Sequence, residues 1–354
     1  MTRSKFQQGL RGALAGLCLC AAPVAAQEAI AQFSAQGALS PTELLVRSTT
    51  DIAILAPALT AFVEANPRVS ITYEQWGSNA LYSDSRAACE GTAKSADVVI
   101  SSGVHQMLDL VNRACASPYV STYTATLPSA RKWRNELWGI TQEAAVIIYN
   151  TALVPDEDAP RTRFALLDLM RRQSAQYRGR IATYDIERSG LGFLFAFMDS
   201  QEATTFGGLL EGFSRVDAVA TCCSAEIIKG VERGEYLIAY NVLGSYVASA
   251  PHENLGVIYP KDYTLFLSRA FMIPKTAQRA EQAAQFLDFL LSPEGEQILA
   301  QSNLVQRQDG IDPSLPQSAQ RYIPIDITLL VAMDQHRRAS FVEKWRATFG
   351  DELR

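Results

Sequence analysis

RAFMIPKTAQRAEQAAQFLDFLLSPEGEQILA, residues 269–300, decides how this chain is read. A short apolar run, residues 270–273, stops at Pro274, which has no N–H to give to a strand ladder. A helical pattern follows, with Ala283, Ala284, Leu287, Leu290 and Leu291 spaced onto one face. Ser292, Pro293 and Glu294 then read as N-cap, first helical residue and an acid near the positive helix end. The stretch is therefore a strand, a helix and a second helix that begins at once.

The same alternation extends outward in both directions, as expected for an α/β protein with largely parallel sheets. Upstream, residues 44–47, 69–73 and 97–100 read as strands, each followed by a helical pattern: 54–63, 81–89 and 105–111. Residues 138–149 hold two apolar strands separated by Gln142 and Glu143, where the chain crosses into a second lobe. That lobe holds helices over 164–171, 189–198 and 224–231, and strands over 180–184 and 236–241. A return to the first lobe is expected near residues 256–267, with two last helices around 325–333 and 339–349 packed outside. Residues 27–40, rich in Ala, Gln and Ser, read as a loose lead-in.

The N-terminus carries Arg3, Lys5 and Arg11 ahead of an apolar stretch, residues 13–22, and the small residues Val24-Ala25-Ala26. This is the pattern of a cleaved secretory signal peptide over 1–26, which predicts a periplasmic protein. Cleavage leaves 328 residues, enough for two domains, and moves the formal charge from −5 to −8. A net acidic chain without a Lys/Arg cluster argues against nucleic acid or an anionic membrane as partner.

Four cysteines remain after that cleavage: Cys89, Cys115, Cys222 and Cys223. An oxidising compartment favours disulfides. Cys89 and Cys115 each follow a helical pattern in one region and are expected to pair. Cys222 and Cys223 are then either a vicinal disulfide or two thiols. No CxxC or HxxxH spacing points to zinc, no G-x-S-x-G elbow to a serine hydrolase, and no cofactor is called for. The chain does not read as an enzyme.

Several strings, in this order and spacing, resemble bacterial periplasmic solute-binding proteins of ABC transporters. They are LLVRSTTD (44–51), ADVVISSG (96–103), AVIIYNT (145–151), YRGRIATYDIERSGLGF (177–193), GEYLIAYNVLGSYV (234–247) and the stretch quoted first. The likeness is to the ferric-ion, phospho-sugar and phosphonate branch of extracellular solute-binding family 1. It implies a two-lobed type II fold, α/β, with a cleft between lobes and two crossing hinge strands. Lobe 1 is expected over 41–143 plus 260–354, and lobe 2 over 144–259. Ferric-ion members carry adjacent tyrosines after the strand that corresponds to residues 236–241. Here Tyr246 stands alone, a poor ligand set for hard trivalent iron.

An anionic solute suits the residues better. Arg188-Ser189-Gly190 precedes an apolar helix, whose first N–H groups and dipole attract an oxyanion. Ser189 adds a hydroxyl, Gly190 lets a ligand approach, and Arg188 offers a bidentate contact. Ser48-Thr49-Thr50 and Ser101-Ser102 end strands in the first lobe, where open sheets bind ligands. Cys223, Ser224, Asn241 and Tyr246 complete the expected ligand-binding set by the family pattern. Each serine or threonine also reads as an ordinary helix cap. The expected function is delivery of a small organic anion (sugar phosphate, phosphonate or carboxylate) by lobe closure, as a monomer, to an inner-membrane ABC permease. The alternative is a sensory accessory that reports the solute to a sensor kinase.

Overall fold

The computed structural model describes residues 27–37, 41–202, 204–305 and 315–350; the expected signal peptide 1–26 lies outside them. The strands are β1 (Gln27–Phe33), β2 (Thr42–Ser48), β3 (Val69–Trp76), β4 (Val98–Ser101), β5 (Lys132–Trp133), β6 (Leu137–Gly139), β7 (Glu143–Asn150), β8 (Ile181–Tyr184), β9 (Val219–Thr221), β10 (Ile238–Leu243), β11 (Leu255–Ile258), β12 (Thr264–Leu267), β13 (Ala270–Met272) and β14 (Gln320–Tyr322). The α-helices are α1 (Ile52–Ala65), α2 (Ser78–Cys89), α3 (Val104–Asn112), α4 (Thr122–Thr126), α5 (Arg163–Arg172), α6 (Ser174–Tyr177), α7 (Gly190–Glu202), α8 (Phe206–Arg215), α9 (Ser224–Glu232), α10 (Gly244–Ala248), α11 (Ala280–Leu291), α12 (Pro293–Gln301) and α13 (Gln335–Phe349).

The strands form two sheets. One runs β1-β3-β2-β4-β13-β6-β5, the other β14-β12-β7-β10-β8-β9, with β11 also paired to β7. β2 is parallel to both β3 and β4, and β8 is parallel to β9 and β10. Strands covered on both faces read as continuous apolar runs, and β4 is buried at all four positions. In the first lobe α1, α11 and α12 cover one face of the sheet. Phe62 and Phe286 meet there with ring centroids 4.9 Å apart. The α11–α12 junction forms as its sequence implies: the Ser292 hydroxyl accepts from Gly295 N at 3.1 Å, with Pro293 beside it in the first turn.

Three expectations change. Residues 27–33 are not a loose lead-in but an edge strand, antiparallel to β3. An edge strand needs only an alternating face, and Ala and Gln carry little strand preference to advertise it. On the return, β12 pairs with β7, so the second sheet continues to Leu267, beyond the expected boundary at residue 260; β14 joins the same sheet from the last fifty residues. Finally, the segment around 325–333 is a 3-10 helix (Ile327–Met333), and α13 starts earlier than expected, capped by Asp334.

The chain passes between sheets at residues 140–142 and 268–269, where the passages bind each other, and again between α12 and β14. Ile140 N donates to Arg269 O at 2.9 Å, and Arg269 N donates to the Thr141 hydroxyl at 2.8 Å. After β14 the 3-10 helix packs on α3, beside the first sheet, and α13 packs on α8, beside the second. The C-terminal segment therefore touches both lobes. Cys89, at the end of α2, is bonded to Cys115, just beyond α3, with Cα atoms 5.3 Å apart. Among the described residues no helix is long and apolar enough to cross a membrane.

Candidate ligand cleft

Four strand-to-helix junctions at the carboxyl ends of parallel strands β2, β4, β8 and β9 supply most of the candidate residues, and Asn241 and Tyr246 come from β10 and α10. In the first lobe two of them merge. Ser102 N donates to the Thr49 hydroxyl at 2.9 Å, and the Thr49 and Ser102 hydroxyls are 3.1 Å apart. Ser48 and Ser101 fold back locally: their hydroxyls accept from Thr50 N and Gly103 N, both at 3.0 Å. The result is a neutral, hydroxyl-rich wall at the start of α3.

The start of α7 faces it from the second lobe. The Ser189 hydroxyl accepts from Gly192 N at 3.0 Å, and Gly190 N donates across the lobes to the Ser78 hydroxyl at 2.8 Å. Asn79 Nδ2 donates to Glu187 O, also across the lobes, at 2.8 Å. Between the two helix starts lies Gln106, only 4% exposed. Its Nε2 donates to Asn79 Oδ1 at 2.7 Å, while its Oε1 is buried without a partner. A Cβ at Gly103 or Gly190 would sit 2.5 or 2.6 Å from that oxygen, so a larger residue at either helix start would push the Gln106 amide aside. Backbone donors that would otherwise be orphaned at these termini are thus occupied by the protein's own hydroxyls.

Beside the crossings, the Tyr246 hydroxyl lies 3.2 Å from both Thr49 O and Asp51 Oδ1. Burial raises the Tyr246 phenol well above its ordinary range, and Arg269 offsets only part of this. Burial also raises the Asp51 carboxyl, against the Tyr246 hydrogen bond and the charges of Arg269 and Lys229. Arg269 itself forms a two-point pair with Glu143, Nε to Oε1 at 2.8 Å and Nη2 to Oε2 at 3.1 Å. Burial lowers the guanidinium, but Glu143 and the neighbouring phenols outweigh it, and the net displacement is upward.

The remaining expected residues make other contacts. Ser224 is tied to Tyr184, its hydroxyl 2.7 Å from the phenol. Cys223 precedes it with φ +77° at the start of α9, next to Cys222. Asn241, in a bulged part of β10 at φ +60°, turns inward, and its Nδ2 donates to Asp199 Oδ2 at 2.6 Å. There it joins a buried network in which Arg163, Tyr240 and Tyr263 also bond to Asp199. Arg188 is exposed; its backbone N–H donates to Asp185 Oδ1, and none of the described hydrogen bonds or ion pairs uses its guanidinium.

Sequence reasoning passed over Ser78, Asn79, Gln106, Arg269 and Glu143. Ser78-Asn79 was legible as the helix start after β3, the same kind of junction as the others. Arg269 and Glu143 carried the sign of single charges inside apolar runs. Gln106 had no signal of its own, because its position matters only once α7 is brought against α3.

The family model described as bacterial extracellular solute-binding protein matches residues 48–297. The substrate-binding protein of an ABC transporter from Agrobacterium tumefaciens is 29% identical, with a TM-score of 0.83, over 92% of this chain and 99% of that one. Iron-bound HitA from Pseudomonas aeruginosa is 20% identical with a TM-score of 0.68, over 86% and 99%. AfuA from Actinobacillus pleuropneumoniae, solved with fructose-6-phosphate, is 16% identical with a TM-score of 0.67, over 88% and 99%. At those last two identities the likeness is one of fold. A comparison with curated proteins finds no match. With two α/β lobes, two crossings and a cleft at the strand ends, this chain belongs to the bacterial extracellular solute-binding proteins, a family that binds solutes and is not enzymatic.

Proposed function

We propose that the protein is the solute-binding subunit of an ABC importer. It is exported by cleavage after residue 26, acts as a periplasmic monomer, and takes a small organic anion: a sugar phosphate, phosphonate or carboxylate. Closure of the lobes surrounds the solute and presents it to the permease. The observation that carries this reading is the meeting of two helix starts, those of α3 and α7, around Gly103, Gly190 and Gln106. Helix starts offer N–H donors and a positive dipole end, and the hydroxyls of Thr49, Ser102 and Ser189 are exchangeable partners beside them. A ligand oxyanion accepts more strongly than a serine hydroxyl, so it displaces Ser78 from Gly190 N.

The same residues speak against ferric iron. Ferric-ion members ligate through adjacent tyrosines, and Tyr246 has no tyrosine beside it in the sequence.

A thermal-shift screen of ligand-stripped protein tests the proposal, using sugar phosphates, aminoalkyl phosphonates, di- and tricarboxylates, inorganic phosphate and ferric citrate. A solute at about a hundred times its dissociation constant stabilises the folded protein by about 2.7 kcal/mol. A response confined to one organic anion class supports the reading. A response to ferric citrate that citrate alone does not produce overturns it in favour of iron.

A further inference from the structure

His105 takes no part in the cleft contacts, yet it is wholly buried and neither ring nitrogen has a hydrogen-bond partner. It stands one residue before Gln106 on α3, and its ring stacks on Phe193 of α7 with centroids 5.4 Å apart. α3 follows a strand of the first sheet and α7 a strand of the second, so this pair sits between the lobes. Phe193 also carries the Arg338 guanidinium, 4.1 Å from its ring centroid, and Phe341 at 5.6 Å, both from α13. The pocket thus presents an apolar ring, no acceptor for an added N–H, and a cation.

Of the other ionisable groups nearby, His336, Arg337 and Lys344 of α13 line the same pocket as Phe193 and Arg338, and the rest are engaged elsewhere. On α3 and α2, Asp109 accepts from Tyr82 and Arg113. Glu187, ahead of α7, pairs with Arg346 of α13. The 3-10 helix Ile327–Met333 contains no ionisable side chain, and its flanking Asp326 and Asp334 cap Thr328 N and Arg337 N. Arg338 is the charged group that acts on His105, and it repels a proton there.

We propose that lobe closure is coupled to loss of a proton from His105: the closed interface admits only the neutral imidazole, and acidification opens the lobes. Burial first, and Arg338 second, lower the imidazole from the usual 6.5 to about 3. In the open form His105 is freed from α7 and regains the ordinary range. A group depressed in the closed form favours closure fully above 6.5, and that advantage fades as pH falls toward 3. Within that window the closure constant drops about tenfold per pH unit. The proposal takes from the assigned function only that the lobes open and close.

The test needs no solute, so its outcome is independent of the anion screen. The chain has three histidines, His105, His252 and His336, and histidine-selective NMR of the mature protein separates them by single substitution. The expected result is a His105 resonance that titrates below 6.5, with the small-angle scattering radius rising as it does. His105→Phe keeps the stack without the proton and removes the pH response, and His105→Gln serves as the second neutral variant. His105→Arg adopts the larger radius already at pH 7.5. A wild-type radius that stays constant while His105 titrates, a pH response kept by both neutral variants, or a compact His105→Arg each overturns the proposal.

Discussion

Arg269 and Glu143 lie side by side where the two passages between lobes run together, each 1% exposed. Two charges there are tolerable because every oxygen is used: Glu143 also accepts from the hydroxyls of Thr141 and Ser245. Removing one partner leaves a buried charge unsatisfied, whereas removing both with apolar residues leaves none. Arg269→Met is therefore expected to cost about 3–5 kcal/mol, measured by urea denaturation. The pair Arg269→Met with Glu143→Leu should recover most of that loss. At this scale the sequence was half legible. A lone charge inside an apolar run announces a buried partner, but the partner lies 126 residues away and nothing local names it.

Among elements, the helix pair α11–α12 was open to reading because its signals are local. Ser292→Ala should cost about 1 kcal/mol in thermal or urea unfolding, the usual worth of an N-cap. Gly295 in the next turn has a tertiary reason instead: a Cβ there would overlap the Phe289 carbonyl at the end of α11. Gly295→Ala should cost about 1–3 kcal/mol in the same measurement, because backbone must move to admit it. The disulfide of Cys89 and Cys115 closes a separation of 26 residues around β4 and α3. Its reduction is expected to lower stability by about 3 kcal/mol, read as a fall in Tm with dithiothreitol. β1 escaped the sequence because its strand character depends on an edge of β3 that only the folded sheet provides.

For the whole molecule, the C-terminal segment is part of the structure rather than an outer wrapping. Trp345 of α13 is 3% exposed and packs in a cluster with Ile186, Phe193 and Phe197. Trp345→Ala should cost about 3–5 kcal/mol by denaturation, close to the loss from a lobe core residue. A segment that only wrapped the surface would lose far less. The same helix supplies Arg338 against Phe193, so changes here are also expected to reach the interface between lobes.

The alternation of strands and helices, their caps and the ends of the parallel strands were set by short-range patterns of polarity and turn chemistry. Those act within a few residues and can be read from the chain. The candidate junctions were legible for the same reason, each being a strand end followed by a helix start. Their assembly was not: Thr49 meets Ser102 across 53 residues, and Ser78 meets Gly190 across 112. Nor could the sequence tell that Asn241 turns inward to Asp199 while Gln106 stands between two helix starts. Those outcomes depend on sheet register and on how one lobe closes upon the other. Both are settled by the burial of side chains distant in sequence, and so by the tertiary structure alone.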